Sequence, residues 1–169
     1  MDASTRDLKP LATWGGNVRL VRGLLEAGVR FLVVGGSAVH FHYPWREPGD
    51  LDLLVEPTAE NARRVAAALA ALGSPPLDPG VIERLACADL PYAHIDLKDH
   101  PEFNADILSD RISNFEEVWA GAAEATVGDC RVWVASIRAL LARLSRSSLP
   151  KHVDDKARLH RVLRQRHPR

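Results

Sequence analysis

The 169-residue chain has few of the residues that cross-link or anchor a protein. Its two cysteines, Cys87 and Cys130, are too few for a disulfide framework and lack the spacing of metal ligands. No apolar run approaches the roughly 20 residues that span a bilayer, and residues 1–7 lack the basic and apolar segments of a secretory signal. We therefore expect a cytoplasmic protein that does not associate with membranes.

The composition is that of an ordinary folded domain. Hydrophobic residues make up 46% of the chain and charged residues 26%, which excludes disordered and low-complexity proteins. The length predicts one domain. We divide it into a core over residues 1–135 and basic C-terminal helices over residues 136–169 that pack on this core.

Charge is distributed unevenly, although the net charge is zero. Residues 1–137 hold 12 basic and 20 acidic residues, whereas residues 138–169 hold 10 basic and 2 acidic ones. Such a basic segment indicates either an anionic macromolecule as partner or packing against the acidic core, and both remain open. The candidate contacts are Arg143, Arg146, Lys151, Arg158, Arg161 and Arg164.

Hydrophobic periodicity predicts a mixed sheet with flanking helices. The predicted elements include a helix ending at Gly28, strands over 31–34 and 50–55, a hairpin around Gly128-Asp129, and last helices starting at Ser136 and Pro150. Ser37 is predicted to N-cap a short helix over 38–42. We expect Trp45, Trp119 and Trp133 to pack in the core or the hairpin rather than to serve as base-stacking platforms.

Residues that suit phosphate chemistry follow the first buried strand. Gly35-Gly36-Ser37 ends this strand, and Asp50-Leu51-Asp52 opens the next one. Alternation along a strand points Asp50 and Asp52 to the same face, where their carboxylates can hold Mg²⁺. Glycines allow close approach to a triphosphate, and a helix N-terminus donates to phosphate oxygens. Each pattern alone is typical of a tight corner or a solvated strand edge, but together they favour phosphoryl or nucleotidyl transfer.

The sequence resembles the nucleotidyltransferase (polymerase-β-like) superfamily. Within it, the chain is most similar to small bacterial minimal nucleotidyltransferases and proteins related to abortive-infection type II toxins. The residues that carry the resemblance are Val33-Val34-Gly35-Gly36-Ser37-Ala38-Val39, His42, Arg46, Asp50-Leu-Asp52-Leu-Leu-Val55, Ala105-Asp106-Ile107-Leu108, Phe115-Glu-Glu-Val-Trp119 and Pro150-Lys151. Departures occur at Tyr43, where the family usually has glycine, and at Glu47-Pro48-Gly49 before the acidic pair.

The resemblance implies an α/β (α+β) nucleotidyltransferase fold, with a mixed β-sheet flanked by helices and a C-terminal helical tail. It also implies a third metal-binding and catalytic carboxylate beside Asp50 and Asp52. Asp96 and Asp106 are both candidates, and we favour Asp106 because the acidic strand of the family runs closely into the segment 115–119. The implied cofactor is Mg²⁺ or Mn²⁺.

The implied reaction transfers NMP from an NTP such as ATP to a hydroxyl acceptor and releases pyrophosphate. The nucleotide-binding residues implied by the resemblance are Gly35, Gly36, Ser37, Arg46 and Lys151. The acceptor remains open between a protein hydroxyl, a tRNA end and a small molecule, in a toxin–antitoxin or phage-defence setting. The alternative function is a catalytically silent binding module or toxin–antitoxin partner that keeps the fold.

Overall fold

A computed structural model describes residues 6–8, 15–97, 99, 105–112 and 114–166. The strands in this part of the chain are β1 (Arg6–Asp7), β2 (Phe31–Val34), β3 (Leu51–Val55), β4 (Leu90–Ile95), β5 (Ala105–Ser109), β6 (Ala123–Val127) and β7 (Cys130–Val134). The helices are α1 (Gly15–Glu26), α2 (Gly35–His42), α3 (Ala59–Ala71), α4 (Pro79–Ala86), α5 (Phe115–Ala120), α6 (Ile137–Leu144) and α7 (Pro150–Arg166).

The seven strands form one mixed sheet in the order β1-β6-β7-β2-β3-β5-β4. The central strand β2 is antiparallel to β3 and parallel to β7. Next to it, β3 runs parallel to β5, while the edge strand β4 is antiparallel to β5. This architecture confirms the predicted mixed α/β class, with a sheet flanked by helices.

Helix boundaries follow the predicted signals except at α2. Thr58 accepts a hydrogen bond from the Asn61 amide, and Ser136 accepts one from the Ala139 amide, so both act as N-caps. The prediction that Ser37 is an N-cap is wrong, because α2 begins two residues earlier, at Gly35, with no side-chain cap. The helix starts directly at the end of β2, which leaves no loop in which Ser37 could cap it.

The C-terminal helices pack against the rest of the protein through α2, which contacts both α6 and α7. Leu159 and Val162 of α7 are buried in this contact region. The division of the chain after residue 135 stays a prediction. None of the helices in the described ranges is long and apolar enough to cross a membrane.

The tryptophans differ in their surroundings. Trp119 and Trp133 pack against each other, with ring centroids 5.9 Å apart, as predicted for core or hairpin residues. The same prediction is wrong for Trp45, which is 84% exposed. Trp45 lies in the loop between α2 and β3, where the prolines at 44 and 48 keep the chain out of both neighbouring elements.

Candidate functional site

Strand register brings three carboxylates together at one end of the sheet. Asp52 is the second residue of β3, and it pairs with Asp106 on the parallel neighbour β5. Asp50 lies two residues before Asp52, immediately ahead of the strand. One carboxylate oxygen from each of the three side chains lies within 4.8 Å of the others. The acidic pair and the third carboxylate therefore form a single cluster.

Asp96, the other candidate for the third carboxylate, lies outside this cluster. Its side chain is 79% exposed, whereas that of Asp106 is 21% exposed. The only ion-pair partner of Asp96 within the described ranges is His94, whose Nε2 is 3.9 Å from Asp96 Oδ1. The placement expected for Asp106 thus agrees with the structure, and its catalytic role stays a prediction.

Gly35 makes room for the Asp52 carboxylate. Gly35 has a φ of +60°, the left-handed region that glycine tolerates. A Cβ atom at this position would lie 2.7 Å from Asp52 Cγ, too close for any real contact. This close approach explains the first glycine of the pair without any phosphate.

The second glycine borders an arginine. A Cβ on Gly36 would lie 2.8 Å from Arg46 Nη2, so the guanidinium covers this part of α2. Arg46 Nε is also 3.4 Å from Asp155 Oδ1 on α7, and the Asp155 side chain is 3% exposed. Arg46 therefore links α2 to α7. It is not among the residues that line the cavity beside the carboxylates.

The hydroxyl of Ser37 is fully buried and donates to the backbone carbonyl of Asp50, at 2.5 Å. This bond ties the residue before β3 to the first turn of α2 and holds Asp50 in place. The role predicted for Ser37, donation to phosphate, would require the hydroxyl to leave the Asp50 carbonyl. Binding of nucleotide by Gly35, Gly36 and Ser37 stays a prediction.

The carboxylates line a cavity of about 420 Å³, which we call the cleft. Its sheet side carries Asp50, Asp52 and Asp106. Its helix side carries Arg143 of α6, Lys151 of α7, and Arg146, which lies between these two helices. The cleft thus combines a negative wall and a positive wall. An apolar surface completes the lining, formed by Val34, Val39, Leu108, Ile112, Leu140 and Leu144, with the exposed Tyr92 at the edge strand.

The helix side is fixed to the sheet by an ion pair. Arg143 donates two hydrogen bonds to Asp110, from Nη1 at 3.0 Å and from Nη2 at 2.7 Å. Both side chains are largely buried, and Asp110 directly follows β5. Such a two-pronged arginine–carboxylate pair has a defined geometry, so the distance across the cleft is set by the fold.

The pKa of Asp52 is raised from 3.8 to about 7, mainly by burial and also by repulsion from Asp50 and Asp106. Lys151 and Arg143 offset this effect in part. Three carboxylates at this spacing therefore cannot all be charged at low energy without an additional cation.

The donor set fits a hard divalent cation. Oxygen ligands of one Mg²⁺ lie at most about 4.2 Å apart, because each is about 2.1 Å from the ion. The three carboxylates are near this spacing, and carboxylate oxygens are the ligands that Mg²⁺ and Mn²⁺ prefer. The cluster can thus bind a divalent metal ion.

His94 is a residue of this site that the sequence analysis missed. It pairs with Asp106 across β4 and β5, and its Nδ1 lies 3.1 Å from Asp106 Oδ1. A ring N–H donated to this oxygen orients the Asp106 carboxylate. In the sequence, His94 stands two residues before Asp96. Its place beside Asp106 can be predicted only when the register of β4 against β5 is known.

The predicted cations of the C-terminal segment do not act as one group. Arg143, Arg146 and Lys151 line the cleft. Arg158 forms an ion pair with Asp155, with Nη1 2.7 Å from Oδ1. Arg161 and Arg164 are exposed towards the C-terminal end of α7. The two alternatives for this segment therefore apply to different residues. Arg158 serves packing within the protein, whereas Arg161 and Arg164 are accessible to an external anionic partner.

Known proteins resemble this chain in three-dimensional structure rather than in sequence. No protein-family model and no curated protein matches the sequence. One similar solved structure is that of an antigenic nucleotidyltransferase-like protein from Paracoccidioides brasiliensis, with a TM-score of 0.48 and 13% sequence identity. The similarity covers 86% of this chain and 72% of that protein.

Proposed function

We propose that the protein is a nucleotidyltransferase that depends on a divalent metal ion, Mg²⁺ or Mn²⁺. It transfers NMP from an NTP to a hydroxyl acceptor and releases pyrophosphate. The observation that carries this proposal is the cluster of Asp50, Asp52 and Asp106 on the wall of a cleft whose other wall is cationic. The resemblance of residues 33–55 to nucleotidyltransferases supports the same reaction.

The acidic wall of the cleft suits a metal ion and the acceptor hydroxyl, and the basic wall suits the phosphates of the NTP. Asp50, Asp52 and Asp106 would hold the metal, which when bound neutralises phosphate charge and favours deprotonation of the acceptor hydroxyl. Lys151 and Arg146, which have no ion-pair partner within the described ranges, are free to bind the phosphates of the NTP and the departing pyrophosphate. His94 holds the Asp106 carboxylate in orientation.

Arg46 was predicted to bind nucleotide, but its surroundings support another role. Its contacts with Gly36 and Asp155 join the two helices that carry the glycine pair and Lys151. We propose that Arg46 positions these helices relative to each other. The cleft also has an apolar wall, which suits the nucleobase of the NTP.

The proposed activity is tested by incubating the full chain with α-labelled NTPs and Mg²⁺ and with candidate acceptors: tRNA, protein and an aminoglycoside. We expect label to appear in one acceptor class and to disappear in Asp52→Ala. The matched control is Asp89→Ala, which removes an exposed aspartate outside the cleft. Equal transfer by wild type and Asp52→Ala would contradict the proposal.

A melting experiment distinguishes the enzyme from a silent binding module. Mg²⁺ with NTP should raise the Tm of the wild type, and Asp52→Ala should lose the nucleotide-dependent part of this shift. A shift without transfer to any acceptor would support the silent module, which keeps the site and lacks the reaction. No shift at all would contradict the enzyme and a module that binds nucleotide, and would favour a toxin–antitoxin partner that keeps only the fold.

A further inference from the structure

A second depression lies at the other end of the two helices that border the cleft. α2 begins at Gly35 beside Asp52 and ends at His42, and α7 runs from Lys151 in the cleft towards Arg166. At their C-terminal ends, these helices border a cavity of about 420 Å³. It is lined by Arg6, His42, Tyr43, Pro44, Trp45, Arg161, Val162, Gln165 and Arg166. We call it the arginine groove.

The charge of the arginine groove is entirely positive. Three arginines line it, and no aspartate or glutamate does so among the residues that the structure describes. Arg161 and Arg166 form no ion pair within these ranges. Arg6 donates from Nη1 to the Phe41 carbonyl, at 3.1 Å, which holds its guanidinium at the groove without neutralising it.

The charges of two of these arginines affect the pKa of the buried His42. Burial lowers the pKa of His42, and the charges of Arg166 and Arg6 lower it further, although the Ala135 carbonyl opposes this effect. Arg6 and Arg166 therefore both lie near His42, and no aspartate or glutamate of the described structure lines the groove beside them. A group of cations in this state is a binding site for negative charge.

Trp45 adds an aromatic surface to the groove. Trp45 is 84% exposed, yet the loop that carries it is held by hydrogen bonds. The Arg46 amide donates to the Tyr43 carbonyl at 3.0 Å, and His40 Nδ1 donates to the Arg46 carbonyl at 2.7 Å. Arg46 itself points inward and is 17% exposed. The backbone on both sides of Trp45 is thus held by hydrogen bonds, and the exposed Trp45 lies between these positions.

The combination of cations and an exposed aromatic ring selects among anionic ligands. An acidic peptide would use the arginines but gain little from Trp45. A duplex would hide the faces of its bases in the helical stack. Single-stranded nucleic acid offers phosphates for the arginines and free base faces for the indole, which is how sequence-tolerant proteins bind it.

We propose that the arginine groove binds single-stranded nucleic acid, with a base stacked on Trp45 and phosphates bound by Arg6, Arg161 and Arg166. The groove is about 10 Å from the cleft along α2 and about 15 Å along α7 between Lys151 and Arg161, at 1.5 Å per residue. A strand held in the groove can therefore reach the cleft. Its use as the acceptor rests on the proposed function, whereas its binding does not.

The test is fluorescence anisotropy with labelled single strands of about 12 nucleotides, as RNA and as DNA, added to the full chain in EDTA without NTP. We expect affinity to fall with salt, with a slope of about 2 in log Kd against log salt, because three phosphates contribute about 0.7 each. Trp45→Ala should weaken binding by about 5- to 150-fold, the contribution of one stacked base.

Two charge-matched double variants distinguish binding by the groove from an effect of the protein's net charge. Arg161→Gln with Arg166→Gln should lower the salt slope by about 1.4. Arg63→Gln with Arg138→Gln removes the same charge from exposed positions that line neither depression, and it should bind as wild type does. Equal weakening in both pairs, unchanged binding by Trp45→Ala, or equal affinity for a duplex would overturn the proposal.

Competition by polyglutamate tests the other class of anionic ligand. We expect it to displace the strands only weakly, and displacement at matched charge concentration would overturn the proposal in favour of an acidic protein. Asp52→Asn should bind strands as wild type does. Trp45-dependent binding without nucleotide transfer would contradict the proposed function alone, and transfer without binding would contradict the groove alone.

Discussion

The two ends of α2 and α7 carry clusters of like charge that differ in sign and in surroundings. At the N-terminal ends, strand register forces Asp50, Asp52 and Asp106 together in a partly buried place. At the C-terminal ends, Arg161 and Arg166 face solvent, where water and salt screen their repulsion. Like charges in a buried site destabilise the fold unless a counter-ion binds, whereas exposed ones cost little. Only the acidic end should therefore affect stability strongly.

The largest expected effect concerns which carboxylate belongs to the acidic end. Asp106→Asn should lower nucleotide transfer by about 100-fold or more, because a ligand of the metal and a charge near the reacting atoms are lost. Its free energy of unfolding should stay the same or rise, because one of three repelling charges is removed. Label transfer under initial-rate conditions and urea unfolding provide the two readouts.

Asp96→Asn is the matched control for this prediction. The residue has the same side chain and also contacts His94, but it is 79% exposed and lies outside the cluster. It should keep most of the activity, with stability within about 0.5 kcal/mol of wild type. If Asp96→Asn loses transfer and Asp106→Asn keeps it, the assignment of the third carboxylate is wrong.

The acidic end could be predicted from the sequence because its geometry is local or follows strand pairing. Asp50 and Asp52 are two residues apart, so alternation alone places them on one face. Asp106 needed the pairing of β3 with β5, which the resemblance to nucleotidyltransferases supplied. The glycines were predicted to allow close approach to a triphosphate. The structure shows instead that Gly35 accommodates the Asp52 carboxylate and that Gly36 lies under Arg46.

The basic end could be predicted only in part: Arg161 was among the candidate cations, but Arg6 and Trp45 are distant in sequence from it and from each other. Arg6, Trp45 and Arg166 come from a short edge strand, a loop and the last helix. No periodicity connects these three segments, and the hydrophobicity of tryptophan favoured burial of Trp45.

The N-cap prediction for Ser37 was wrong because it rested on local sequence alone. Its N-cap signal is real in general, but the end of β2 runs into α2 without the loop that a cap requires.

A pH series tests the difference between the two ends directly. The pKa of Asp52 is about 7 in the folded protein and 3.8 ordinarily, so the folded state holds the proton more tightly. Protonated Asp52 makes its full contribution to the free energy of unfolding below about pH 4, and this contribution is lost as the pH rises towards 7. The stability gained by Asp52→Asn over wild type should thus grow by about 2–3 kcal/mol between about pH 5 and pH 8 without metal.

The basic end provides the comparison variant for this series. Arg161→Gln with Arg166→Gln should change the free energy of unfolding by no more than about 0.5 kcal/mol at either pH, because both side chains are exposed. Urea unfolding in EDTA measures both variants. A pH-independent effect of Asp52→Asn would show that neither burial nor the neighbouring carboxylates raise the pKa of Asp52 in the folded protein.

The smallest expected effect isolates the contact that holds the Asp52 carboxylate in the cluster. Gly35 and Gly73 both have positive φ, +60° and +82°, so alanine costs about 1 kcal/mol at each from backbone conformation. A Cβ at Gly73 meets nothing within 4 Å, whereas one at Gly35 lies 2.7 Å from Asp52 Cγ. Gly35→Ala should therefore cost about 1–2 kcal/mol more than Gly73→Ala in urea unfolding. Since the displaced carboxylate leaves the cluster, Gly35→Ala should also weaken Mg²⁺-dependent stabilisation, and Gly73→Ala should not. Equal costs and equal Mg²⁺ responses would mean that Asp52 turns away from the added methyl group without loss, and that the close packing of Gly35 against this carboxylate does not hold the acidic end together.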